Sequence, residues 1–169
     1  MKRFTWILAA SAALLAPAAS GSSSHNVPSD SPFLPQIQGT WVSNACDGPS
    51  NGTYQRIGLV IAGMDVVVAV RSYVAPDCSG TAVATATRSG TFTIDSATTA
   101  SLDAASVTAY PFNVTASADG ATRSMYTLGY VDASTPRRLY MGNQGGENDG
   151  SNLALRSTTL DAAVWFTKQ

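Results

Sequence analysis

The chain has 169 residues, of which 44% are hydrophobic and only 12% charged, with 10 basic and 11 acidic residues for a net charge of −1. That length suits one domain with a single core. No basic run or arginine–aromatic stripe is present to neutralise several phosphates, which argues against a nucleic-acid partner, and no apolar run is long enough to cross about 30 Å of hydrocarbon as a helix.

Residues 1–20 have the three parts of a secretory signal peptide. Lys2 and Arg3 give the positive start, an apolar run extends from Phe4 to Leu15, and Ala16, Pro17, Ala18, Ala19 and Ser20 supply small residues for cleavage. The mature protein is therefore expected in the periplasm or outside the cell. Loss of Lys2 and Arg3 leaves 8 basic residues against 11 acidic ones, a net charge of −3. Residues 21–36 are rich in Ser and Pro without a hydrophobic period, and they predict a flexible tether.

Residues 37–169 predict a single β-domain of short β-branched and aromatic runs. The expected strands are 37–43, 54–62, 65–74, 81–88, 90–95, 105–110, 112–117, 124–131, 138–143 and 164–168, with turns at Gly63, Pro76-Asp77, Ser89-Gly90 and Asp119-Gly120. Pro111 is expected at a bulge or an edge. Residues 98–108 compete as a helix but lack an apolar stripe, so only one short turn is expected there. The fold class is all-β: an antiparallel meander of about eight to ten strands that loses its exposed edges either by closing, or nearly closing, into a barrel or by packing as a β-sandwich, between which the strand pattern does not choose. Cys46 and Cys78 form an isolated pair in an oxidising compartment and are expected to bond to each other.

Gly39-Thr40-Trp41 resembles the G-x-W that opens the lipocalins, which are up-and-down barrels with an apolar cavity. The order GTWVSNAC, then Tyr54 and Arg56, RSYVAPDCSG, SGTFTI, LYMGN and LRSTTLDAAVWFTKQ resembles a group of exported bacterial lipocalin-like proteins. More distantly, the first half is similar to the ectodomain family of Wnt inhibitors named for down-regulation by adenomatosis polyposis coli. The resemblance implies a lipocalin-like barrel with Gly39 and Trp41 at its floor. It also gives Arg156 as the counterpart of the arginine that packs on the first tryptophan. The chain has no T-D-Y-type second motif.

Strand parity places Leu59, Ile61, Val66, Val68, Val70, Met125 and Met141 on inward faces as candidate lining for a small apolar ligand. Ala82, Ala84, Ala86 and Gly129 cannot fill a barrel interior by themselves, so either the barrel is flattened or space is left for a guest. The expected function is thus an exported lipocalin-like protein that binds an apolar or lipidic molecule. The alternative is a non-catalytic envelope or surface interaction module without a cavity, and a carboxylate-based hydrolase stands third.

Catalysis is short of suitable groups. His25 is the only histidine and lies in the predicted tether, while Asp65, Asp95, Asp103 and Asp161 fall at turns and strand ends, where Asp bonds local backbone. No enzyme activity, cofactor or metal is expected. The oxygen-rich loop from Asn143 to Asn152 does not have EF-hand spacing and reads as a solvated connection. Asn51-Gly52-Thr53 and Asn113-Val114-Thr115 match the glycosylation sequon without an assigned role, and the six tyrosines read as sheet cover.

Overall fold

The computed structural model describes residues 31–50, 52–118, 121–145 and 147–169. The predicted signal peptide and residues 21–30 of the predicted tether lie outside these. The strands are β1 (Gly39–Ser43), β2 (Asp47–Ser50), β3 (Thr53–Ala62), β4 (Asp65–Tyr73), β5 (Ala84–Ile94), β6 (Thr98–Leu102), β7 (Ala105–Ala118), β8 (Ala121–Asp132), β9 (Arg138–Gly142) and β10 (Leu160–Lys168). Eight of them form an antiparallel ring, β1-β3-β4-β5-β7-β8-β9-β10, which closes because Trp41 pairs with Leu59 of β3 on one side and Lys168 of β10 on the other. β2 and β6 are appended to β3 and β7. The barrel, and not the sandwich, is the architecture, and closure removes the free edges that a meander of this length would expose.

Side-chain alternation then fixes what lies inside. Ile57, Leu59 and Ile61 sit opposite Val70, Val68 and Val66, so both sets share one face. That face joins Trp41, Phe92, Ile94, Phe112, Val114, Leu139, Met141 and Phe166 in one buried cluster. Val60, between Leu59 and Ile61, points outward and is 46% exposed.

The segment read as a tether does not end as one. Leu34–Ile37 forms a helical turn, α1, with Pro35 in its first turn, where its missing N–H is not needed. Phe33 is only 1% exposed; its ring stacks on Tyr110 at 4.9 Å between centroids and meets Phe112 edge-on at 6.4 Å. A Cβ on Gly129 would fall 2.5 Å from Phe33 Cζ. The room at Gly129 that the sequence leaves for a guest is therefore taken by the chain's own Phe33. A Ser/Pro-rich composition hides this, because one aromatic carries the burial. Gln38 ties the plug to the β3–β4 turn: its Nε2 donates to the Leu34 carbonyl at 3.0 Å and its Oε1 accepts from Gly63 N–H at 2.7 Å.

Several strand boundaries depart from expectation, with β1 starting at Gly39, β10 at Leu160 and β2 an additional strand, and three departures have a clear physical cause. β5 runs straight through Ser89-Gly90, where a turn is predicted, because Gly90 faces a close crossing: a Cβ there would collide with the Thr115 carbonyl oxygen and the Ala116 backbone. β7 likewise runs through Pro111. Asp95 N–H donates to the Pro111 carbonyl on the side where β5 ends at Ile94, opposite Phe112, and β6 takes over at Thr98, opposite Ala109. The proline nitrogen thus falls at the handover, where β7 lacks a ladder partner for an N–H. Residues 98–108 form a hairpin, β6 with the start of β7, instead of a lone helical turn. Asp103 supplies the positive φ, +53°, that its two-residue turn requires.

The plug gives a test that separates it from a tether. Phe33→Ala should lower unfolding free energy by about 3 to 5 kcal/mol, as for other buried large aromatics. A solvated tether residue would change it by less than about 0.5 kcal/mol. Denaturant unfolding monitored by tryptophan fluorescence distinguishes the two.

Candidate functional site

All seven residues expected to line a ligand site face inward, and most of them pack into the apolar cluster of the barrel. Leu59, Ile61, Val66 and Met141 are buried, and Val68 and Met125 pack against the same cluster. Val70 lies further toward the end away from the plug, where its partner Ala86 is exposed despite its inward parity. Ala84 is exposed there too. The small alanines that were expected to leave a cavity instead thin the wall at the open end.

At the floor, Trp41 is fully buried and its Nε1–H donates to the Ile37 carbonyl at 2.7 Å. Gly39 adopts φ +106°, a value that L side chains rarely adopt. The cation over the Trp41 ring is Lys168, 5.6 Å from the centroid, and not Arg156. Lys168 pairs directly with Trp41 across the β1–β10 seam, whereas Arg156 belongs to the long β9–β10 connection and reaches a different face. Its Nη2 donates to Asn113 Oδ1 at 2.8 Å and lies 3.4 Å from Asp95 Oδ2.

The outer wall carries two hollows. One hollow of about 380 Å³ lies over β5, β7 and β8, with Thr91, Thr93 and Asp95 along one side, Tyr126 opposite, and Leu153 from a 3-10 turn, Leu153–Leu155, as its lip. The lip is set by backbone pairing, since Tyr126 N–H donates to the Gly150 carbonyl and Asn152 caps the turn through its side chain. The oxygen-rich loop is therefore partly built, and its Asn side chains satisfy backbone. A second hollow of about 520 Å³ lies between the β6–β7 hairpin turn and the start of β10, and brings Asp103 and Asp161 to one place. Asp161 Oδ1 accepts from Ala163 N–H and Val164 N–H, so this carboxylate shapes the strand entry. Asp65 lies elsewhere, paired with Ala62 at the β3–β4 turn and with Thr91 of β5. Among the described residues, no group of three His, Cys, Asp or Glu side chains is placed to hold a metal ion.

Sequence reasoning singled out Asp95, Arg156 and Asn113 separately, as a spare carboxylate, a floor arginine and part of a sequon. Their convergence was invisible because 18 residues separate Asp95 from Asn113 and 43 separate Asn113 from Arg156. Tyr126 was counted as sheet cover. Tyr130 and Tyr140 do serve that role: they stack at 6.2 Å on the outer face beside Trp165, under the β6–β7 arm.

Cys46 and Cys78 are bonded, with Cα atoms 5.7 Å apart. The bridge joins the end of β1 to the β4–β5 loop. Beside it, Asp77 is held below the usual carboxylate range, first by the hydrogen bond from the Ser79 side chain and then by that from the Ser79 N–H. Asp47, on the other side of the bridge, is pushed up by burial.

The fold defines a class, the closed eight-stranded antiparallel barrel of lipocalin-like build. Comparison with protein-family models, curated proteins and solved structures finds no match to this chain.

Two outcomes follow from the bridge. Reduction should cost about 3.5 kcal/mol of stability, from the chain entropy restored to the unfolded state across a separation of 32 residues; calorimetry with and without reductant measures it. Ser79→Ala should raise the Asp77 pKa toward the ordinary carboxylate value in an NMR titration. Because the folded pKa is lowered, the stabilisation linked to Asp77 is present above the unfolded pKa and is lost as pH falls through the folded one. The variant should shrink that acid-side loss.

Proposed function

We propose that the domain is an exported, non-catalytic binding module in which a filled lipocalin-like barrel is the scaffold and ligand contact occurs on the outer wall. The observation carrying this reading is the state of the interior. Phe33, Trp41, Phe92 and Phe112 occupy the space that a barrel ligand would need, while the two hollows, about 520 and 380 Å³, open outward. Both volumes fall within the range of about 300–1,000 Å³ usual for small-molecule sites. Neither gathers the paired base and nucleophile that acyl-transfer chemistry requires. The disulfide supports the export reading, since such bonds persist in oxidising compartments.

A second reading is the small apolar carrier, and one observation favours it: Val68, Val70 and Met125 face inward yet are only partly buried. A guest there would lie at the open end, above a floor that Phe33 closes. Titration of delipidated protein with a fluorescent fatty acid separates the readings. The scaffold reading expects no saturable signal and no rise in melting temperature from the wild-type domain. Stoichiometric uptake that Val68→Asp abolishes would replace it with the carrier.

A further inference from the structure

We infer that the outer groove over β5, β7 and β8 binds an uncharged saccharide. The inference rests on the outer-wall reading above and names the ligand class of one of its hollows. Its floor is a hydroxyl-rich sheet face: outward parity places Thr91 and Thr93 on β5, with Asp95 just beyond its end, beside Asn113 and Thr115 on β7 and Ser124 on β8. These groups are cross-linked before any ligand arrives. Asn113 Nδ2 donates to Thr93 Oγ1 at 3.1 Å and to Asp95 Oδ2 at 3.2 Å, and Thr115 and Ser124 share a hydroxyl hydrogen bond at 3.2 Å. Arg156 Nη2 donates to the Oδ1 side of Asn113 and shares Asp95 Oδ2 with Asn113 Nδ2, with its own side chain only 14% exposed. The planar polar groups are thereby fixed in orientation, so little rotamer entropy remains to be lost on binding.

One acceptor is left over. Asp95 Oδ2 is taken by Asn113 and Arg156, but Asp95 Oδ1 has no hydrogen-bond partner among the described residues, on a side chain that is 41% exposed. A fixed carboxylate oxygen of this kind accepts from a hydroxyl donor, and the neighbouring Thr91 and Thr93 hydroxyls can engage the next one along. Charge decides the class. The Arg156 cation neutralises Asp95 within the groove, so the site offers neither net positive charge for a phosphate or carboxylate ligand nor net negative charge for a cation. The ligand that fits is neutral and rich in hydroxyls.

The walls complete the match. Tyr126 gives the groove an aromatic surface, and Leu153 stands as an apolar lip at 63% exposure. Sugars present apolar C–H faces as well as hydroxyl edges, so a site for them needs both kinds of surface. A solvated loop gains nothing by exposing a leucine, whereas a lip that covers one face of a pyranose ring buries it on binding.

The test uses the mature, disulfide-bonded protein and three neutral probes, maltotetraose, cellotetraose and chitotetraose, with tetragalacturonate as the anionic control. Saturation-transfer NMR and isothermal titration calorimetry should show binding of at least one neutral probe and none of the control. Tyr126→Ala and Asp95→Ala should each weaken that binding tenfold or more. Leu153→Ser, a surface change that cannot unfold the barrel, should weaken it several-fold and keeps the test decisive if the other variants fold poorly. Silence from all three neutral probes, or equal binding by the folded variants, overturns the inference. The fatty-acid titration on the same sample reads the outer-wall proposal separately: a silent saccharide panel without fatty-acid uptake defeats only the saccharide, whereas uptake of the fatty acid into the interior defeats the reading beneath it.

Discussion

The hydrogen bond from Trp41 Nε1 to the Ile37 carbonyl, 2.7 Å long and fully buried, joins the helical turn α1 to the first strand. An indole N–H inside an apolar barrel must find an acceptor, because leaving it unpaired costs about 1 to 3 kcal/mol. The last carbonyl of a helical turn is free to accept, because no further turn follows to use it. This bond places α1 across the barrel end, and once α1 is there Phe33 falls over Gly129 and against Tyr110 and Phe112. The plugged barrel end descends from that placement, and the two hollows described above lie on the outer wall.

The outer wall is busy in two different ways. Over β8, β9 and β10 it is covered by the β6–β7 arm, with Ala100, Ala109, Leu128, Tyr140 and Leu160 making a second small core outside the barrel. Arg138 closes that side over the Trp165 ring at 4.8 Å. Over β5 and β7 the wall stays uncovered and turns polar, with threonines at alternate positions. The β9–β10 connection lies along the boundary, leading into Leu160 of β10 on the apolar side and contributing Leu153 and Arg156 to the polar one.

Much of this was legible in the sequence because it is governed by local rules. The period-2 runs gave the all-β class, the resemblance carried by Gly39-Thr40-Trp41 pointed to the barrel over the sandwich, the isolated cysteines gave the bridge, and the parity of Leu59, Ile61, Val66 and Val68 gave the inner face. The errors are tertiary in origin. Gly90 and Pro111 are turn or edge residues by local chemistry, yet each sits within a strand because of what the neighbouring strand does at that level. Phe33 is one apolar residue in a polar stretch, and only the hole at Gly129, nearly a hundred residues later, explains its burial. The Asp95–Asn113–Arg156 cluster draws on two strands and a loop, and no spacing rule links them. Lys168 replaces Arg156 at Trp41 because cross-strand register, and not residue type, chooses the neighbour.

Closure of the ring by β1 against β10 has a consequence for the order in which the chain can mature. Trp41 obtains its Lys168 neighbour, and Ser43 its Phe166 neighbour, only after every intervening strand has been made and delivered. Contacts this remote in sequence make folding slow, because the cost of closing the loop precedes the return from pairing. Until then the half-built sheet presents the free edge of β1 and the apolar face of β3 and β4 to its surroundings, a state prone to edge-to-edge pairing with other copies. The Cys46–Cys78 bridge involves only β1 and the loop after β4, so it can form from the first half of the chain alone and hold those strands together while the remainder emerges.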